Sequence, residues 1–457
     1  MLVRSRITIP KLGRWRSFSS FPRCLNKIDS SKTKTYTNLS QILEFAIKTT
    51  GPIPVSSYMK QCLVHPEFGY YTTRDPLSPI SETSDFITSP EISQTFGEMI
   101  GIYHFTMWLL QGKPKEVRFV EFGPGKGTLI FDCIRTFERL SKGTVSYEVV
   151  LVEASPVLRE EQRKKLCGDT SLNVLEDGTW DAKTLTGKRC HWVETELDIK
   201  KTGTNYIIAH EFFDALPVQQ YEKTKDGWRE YMVDFSEKNV IRAKTDPLAL
   251  PNRTTITSKE LENPALRFNF HSVLSPHETP GSYIPKNNPR YEALPVGSRI
   301  EICPEAYTYS KHIAALINSG SGAGGCLIVD YGPADTVPIN TIRGIKNHKI
   351  VSPFDDPGNV DLSADVDFGQ LKQIFENQSC QVHGPVEQGD WLHEMGLGFR
   401  TDQLVHIAKS ENDKQKIIKA YKRLVGKSHG DMGSIYKFLA VLPSGSQIQP
   451  VGFGGSL

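Results

Sequence analysis

Residues 120–130 read "VEFGPGKGTLI": an apolar run ending on Glu121, then glycines at Gly123, Gly125 and Gly127, then a helical pattern. A strand that turns on glycines into a helix brings bare backbone and the helix's first N–H groups close to a ligand. The dinucleotide spacing G-x-G-x-x-G is not met, because its last glycine position is Thr128. An acid two residues ahead of the first glycine would also repel a pyrophosphate. It suits a cationic ligand, one that carries an amine and a sulfonium.

The next strand-like run, "VVLVEAS", ends on Glu153, where a carboxylate can accept from both hydroxyls of a ribose lying across the strand tips. A solvated glutamate at a strand end is common, so Glu153 gains weight from its register with the glycine turn. A later run, "IIAHEFFDALPVQQY", puts Glu211 and Asp214 at the tip of a buried strand, where open α/β sheets hold their ligands. His210 beside them is expected to be a satisfied core residue. "LIVDYGP" repeats the logic with Asp330 and Tyr331.

These residues need a sheet to line them up. Strand-like runs alternate with helical ones from "EVRFVEFG" onward, and their apolar stretches lack strict alternation. Such strands are covered on both faces, which predicts a doubly wound α/β fold with a parallel sheet. The predicted layout is an N-terminal helical and loop region (38–111), a core (115–235 and 296–335), a polar insertion (243–295) and a C-terminal region (336–445) with a closing strand. One helix is expected from about Glu91 to Gln111, and a hairpin about Asp226-Gly227.

Composition narrows the function. With 54 Lys+Arg against 52 Asp+Glu in 457 residues, no domain-wide basic excess points to nucleic acid. No apolar run approaches the ~18 residues of a membrane span. The eight cysteines are scattered without a C-x-x-C pair, so neither a zinc site nor a disulfide framework is suggested. The first 29 residues carry seven basic residues and a single acid, Asp29, the composition of an organelle transit peptide.

The turn E-x-G-x-G-x-G resembles the first motif of class I methyltransferases, whose cationic methyl donor is S-adenosylmethionine. More of the chain is similar to the MidA-type methyltransferases: "HPEFGYY", "SDFITSPEISQTFGE", "EFGPGKGTL", "HEFFDALPV", "LPVGSRIEICPEA", "IVDYG", "HKIVSPFDDPGNVDLSADVDF", "GPVEQGDWLHEMG" and "MGSIYKFLAVL", in family order over about 38–442. His210 departs from the asparagine more usual there. The resemblance implies a Rossmann-like core with loop-rich insertions over the cleft, and the 84–93 loop over the cofactor, with Thr88, Ser89, Pro90 and Glu91. The implied cofactor residues are Glu121, Gly123, Gly125, Gly127, Glu153, Ser89 and Glu91. Glu211 and Asp214 are the candidates to clamp a substrate guanidinium, with Glu91 and Asp330 in reserve. The mitochondrial branch of the family implies a matrix protein arginine methyltransferase that makes symmetric dimethylarginine on a core subunit of complex I (NADH:ubiquinone oxidoreductase), and the family suggests a homodimer. A non-catalytic S-adenosylmethionine-binding assembly chaperone is the alternative. It would keep the cofactor pocket as a folding element, but it has no need of the glycine turn, Glu153 and the acids of "HEFFDALP" all together.

Overall fold

In the strand Glu116–Phe122 (β1), Val117 and Phe119 point into one apolar cluster and Val120 and Phe122 into another. A strand rich in branched and aromatic residues on both faces must lie inside a sheet covered twice. In this computed structural model, which describes residues 36–73, 88–241, 267–320 and 322–455, β1 is the middle of a nine-stranded sheet. The others are β2 (Ser146–Val152), β3 (Asn173–Val174), β4 (Trp180–Lys183), β5 (Arg189–Val193), β6 (Thr204–His210), β7 (Gly325–Tyr331), β8 (Gln381–Glu387) and β9 (Tyr436–Leu442). Their spatial order is β8-β9-β7-β6-β1-β2-β5-β4-β3. The five strands β7-β6-β1-β2-β5 run parallel, and β9 lies antiparallel against β7. The order switches direction at β1, so the crevice at its carboxyl end is a topological switch point.

Helices α1 (Gln94–Leu110) and α2 (Thr128–Leu140) cover one face. Helices α3 (Pro304–Asn318) and α4 (Phe368–Asn377) cover the other. The expected single helix from Glu91 is broken at Ser93, whose extended backbone (φ −157°, ψ 132°) ends a short Ser89–Ile92 turn. The Ser93 hydroxyl accepts from the Thr95 N–H at 3.3 Å, so α1 starts there on its own cap.

The expected core boundary at 235 runs past this sheet. Strands Gln219–Thr224 and Gly227–Ile241, turning at Gly227 (φ 103°), belong to a second sheet with Arg267–Leu274, Arg299–Ile302 and Ile53–Pro54. Arg267–Leu274 falls in the stretch expected to be a polar, partly ordered insertion (243–295). Its one alternating stretch, "FNFHSV", is too short to signal alone, and it becomes a strand by pairing with 231–241. Residues 242–266 and the leader at 1–29 lie outside the described residues. A third, small sheet pairs Arg343–Lys346 with Lys349–Val351 and Asp361–Ser363. The helix at Val55–Val64 packs with the second and third sheets through Tyr58, Phe270, Phe354 and Leu362. Among the described residues no helix is long and apolar enough to cross a membrane.

Candidate active site

At the switch point the three glycines all take left-handed backbone: Gly123 at φ 58°, Gly125 at 53° and Gly127 at 75°. A side chain would be strained at each, and a Cβ at Gly123 would sit 3.3 Å from the Phe212 ring. The turn thus delivers bare backbone to a cavity of about 1080 Å3. Gly127 caps α2, and the Ile130 N–H at that helix start faces the Glu121 carboxyl. Burial pushes the Glu121 acid well up, and its second oxygen, Oε2, is buried without a partner. An unpartnered buried acid in the wall of a cavity fits a cationic group placed there.

Glu153 continues β2 into the same cavity. Its Oε1 accepts from the Ser155 N–H at 2.8 Å and its Oε2 from Gln162 Nε2 at 3.2 Å. Burial raises it to about 7. Sequence reasoning missed Gln162, which is fully buried on the helix Pro156–Cys167. Its Nε2 also donates to the Gly125 carbonyl at 2.7 Å, while its Oε1 accepts from Trp192 Nε1 at 2.9 Å. One amide therefore ties the glycine turn to the acid at the tip of β2. Nothing in a surface-like "REEQRKK" announces this, since only the fold decides which face turns inward. We expect Gln162→Leu to weaken S-adenosylmethionine binding about tenfold (roughly 1.4 kcal/mol) in titration calorimetry, with an unchanged affinity refuting the tie.

A second group of acids lies at the tips of β6 and β7. Glu211 is a non-glycine residue in left-handed backbone (φ 49°), a conformation that costs about 1 kcal/mol or more and clusters at functional sites. Its N–H still donates to Val329 O at 2.9 Å, so the strand holds it in place. Tyr436 Oη donates to its Oε1 at 3.0 Å, and the Ser89 N–H also faces the carboxyl. Burial first, then the neighbouring Asp214, lifts Glu211 to about 8. Asp214 Oδ2 accepts from the Tyr331 hydroxyl and, at 3.1 Å, from Ser363 Oγ, while its Oδ1 is buried without a partner. Asp361 lines the same part of the cavity and accepts from Tyr71 Oη at 2.8 Å.

Several expected positions differ in detail. Ser89 does not line the cavity: its hydroxyl faces Gln388 (3.5 Å) and Met432 Sδ (3.9 Å), and it serves the site through its N–H. Thr88, Pro90 and Glu91 do line it. Asp330 is fully buried behind the wall, where Oδ2 accepts from the Phe213 and Asp214 N–H groups at 3.0 and 3.3 Å. Those bonds occupy it as a positioning residue for Asp214, so it is not a free clamp. His210 packs edge-on against Phe96 but is not satisfied: Nε2 faces the cavity wall without a partner, 3.6 Å from Glu211 Oε1. Burial lowers it to about 3, so it is neutral and offers Glu211 no counter-charge. Arg343 lines the cavity with its guanidinium 4.9 Å over the Tyr331 ring, but is engaged by Asp365 at 2.8 Å.

The glycine cradle, the unpartnered Glu121 oxygen and the acid at Glu153 together fit a nucleoside with a cationic tail. Comparison with known proteins agrees. Residues 99–386 match the family model described as "Putative S-adenosyl-L-methionine-dependent methyltransferase". The chain is 35% identical over 437 residues to the mitochondrial protein arginine methyltransferase NDUFAF7 of Xenopus tropicalis, covering 92% of this chain and 90% of that one. Against the human protein of the same name it is 33% identical over 445 residues, covering 96% and 89%. A bacterial structure from Burkholderia thailandensis, solved with S-adenosyl-homocysteine bound, shares the fold at 20% identity (TM-score 0.63, 92% of this chain and 93% of that one). The chain belongs to the MidA-type family of S-adenosylmethionine-dependent methyltransferases.

Proposed function

We propose that the protein is a type II protein arginine methyltransferase of the mitochondrial matrix, forming symmetric dimethylarginine on a core subunit of complex I and so supporting assembly of that complex. The relatives, named as mitochondrial protein arginine methyltransferases, support the arginine and mitochondrial parts; the matrix, the subunit and the symmetric product rest on the family resemblance, as does a homodimer. The observation that carries the reading is the buried pair Glu211 and Asp214, with Asp214 Oδ1 unpartnered and the cation whose field reaches Asp214, Arg343, engaged by Asp365 at 2.8 Å. Two acids in a low-dielectric wall are held for a positive group. A guanidinium presents five donors in a planar fork that two carboxylates can share.

Glu121, Glu153 and the glycine turn would hold the cofactor; when bound, it supplies a methyl group on a sulfonium for in-line displacement. Glu211 and Asp214 then do two things. Their hydrogen bonds draw the guanidinium charge toward the nitrogens they hold, which leaves a lone pair on the nitrogen that is to be methylated. Once methylated, that nitrogen would shed a proton. A carboxylate of the pair accepts it, and the methylated arginine keeps its charge. Tyr436, Tyr331 and Ser363 keep the two carboxyls oriented.

Incubation with labelled S-adenosylmethionine and isolated matrix-arm subunits should put label into symmetric dimethylarginine after hydrolysis. Cofactor binding without label in any arginine would leave only the chaperone. The pH dependence is also set. Glu211, raised to about 8, must lose a proton to hold a guanidinium. Below that value KM for an arginine peptide should rise about tenfold per pH unit, flattening above it. A KM constant from pH 6 to 8 would remove Glu211 from the clamp.

A further inference from the structure

His210 ends β6 in the wall of the cavity, buried, with Phe96 edge-on to its ring at 5.4 Å between centroids. The ring hydrogen-bonds the residue's own main-chain carbonyl, which only Nδ1 can reach. A neutral imidazole that keeps its proton on Nδ1 leaves Nε2 a bare acceptor. This Nε2 is sealed from solvent without a partner, and Glu211 Oε1 stands 3.6 Å from it. That gap is a few tenths of an ångström beyond a hydrogen bond, and a small turn of the carboxyl closes it.

The Glu211 carboxyl otherwise meets donors, the Tyr436 hydroxyl from β9 at 3.0 Å and the Ser89 N–H. The charged groups that face it are acids: Asp214 after β6, Asp330 on β7 and Asp361 on the third sheet. Arg343 acts on Asp214 and is engaged by Asp365. An acid in such company keeps its proton, and a buried O–H left without an acceptor is costly. Two acceptors nearby lack partners, Asp214 Oδ1 and His210 Nε2. The first belongs to the clamp; the second lies sealed behind the acid, away from an incoming arginine. Resting on the reading above, we propose that His210 is a positioning residue for Glu211, its Nε2 accepting the hydrogen bond of the Glu211 acid proton in the empty site and again after the methylated nitrogen has given its proton up. No proton passes to the ring. Glu211 is thereby the stronger base of the clamp, and it becomes charged only where an arriving guanidinium displaces the seated proton.

The test follows the Glu211 carboxyl by carbon-13 NMR in the protein saturated with S-adenosyl-homocysteine, its signal being the one lost in Glu211→Gln. Labelled methyl transfer to an arginine peptide is run in parallel. His210→Phe keeps a ring against Phe96 and removes the acceptor, so the Glu211 midpoint should fall by about one pH unit, a tenfold loss of proton affinity. His210→Gln, whose amide oxygen can take the place of Nε2, should restore most of it. At about pH 6 the peptide KM of His210→Phe should lie about tenfold below the parent's and match it above about pH 9, since less of the clamp is protonated. Lost packing alone would raise KM instead, at every pH. If His210→Phe does not fold, His210→Leu carries the same two measurements. An unchanged or raised midpoint overturns the proposal and gives the proton to Asp214 Oδ1, while methyl transfer would still uphold arginine methylation. A KM raised evenly in both the Phe and Gln variants overturns it too, leaving His210 as packing. A lowered midpoint, restored by Gln, without transfer to any arginine peptide upholds the seat and overturns the methylation reading.

Discussion

Glu211→Gln should lower the rate of arginine methylation by about 10²- to 10³-fold while changing the dissociation constant for S-adenosylmethionine by less than about threefold. The substitution keeps size and keeps an acceptor for the Tyr436 hydroxyl, 3.0 Å away. It removes the one property a neutral amide cannot supply, a negative charge that appears when a guanidinium arrives. Loss of a single preorganised electrostatic partner in a dry site has this order of effect. Because the native acid is raised to about 8 by burial, the resting protein gains little stability from its charge, and the variant should melt within a few degrees of the parent. The two binding measurements separate the roles. Equal loss of cofactor affinity and turnover would move Glu211 to the cofactor's own wall, and retained turnover would take it out of the reaction. A positive φ at a non-glycine residue argues for the reaction, since the backbone departs from its ordinary range at the position that aims the carboxyl.

How far the sequence alone reached follows from where each signal sits. The parallel strands were legible because β1, β2, β6 and β7 are nearly unbroken apolar runs, each ending on an acid or a histidine-acid pair within the chain's own local pattern. The glycine turn was legible for a local reason too, since φ between 53° and 75° at three alternate positions admits little else. What stayed hidden depends on contacts far apart in the chain. Gln162 reads as surface until a helix packs it under Trp192. Asp330 looks equivalent to Asp214 in sequence, and only the pairing of β6 with β7 puts it behind the loop, on two backbone N–H groups. Ser363 and Tyr436 approach Asp214 and Glu211 from 149 and 225 residues away. The insertion strand at 267–274 likewise forms only against its partner.

Glu153→Ala should weaken S-adenosylmethionine binding by about 100-fold and abolish the rise in melting temperature that the cofactor gives the parent. Two ribose hydroxyls donating to one carboxylate are charge-assisted bonds, each on the order of 1.5–3 kcal/mol, and alanine removes the acceptor for both. The carboxyl is already oriented, by the Ser155 N–H at 2.8 Å and Gln162 Nε2 at 3.2 Å, so little ordering remains to oppose binding. The same two bonds define the main confounding effect. In the variant Gln162 keeps its partners Gly125 O and Trp192 Nε1, so the glycine turn should hold its shape and the unliganded melting temperature should stay close to the parent's. With the acid at about 7 in the unliganded cleft, parent affinity should also strengthen as pH rises through 7, because the protonated form offers one acceptor fewer; that slope should vanish in the variant. A cofactor affinity within threefold of the parent's, with the fold intact, would mean that the nucleoside lies elsewhere than across the tip of β2.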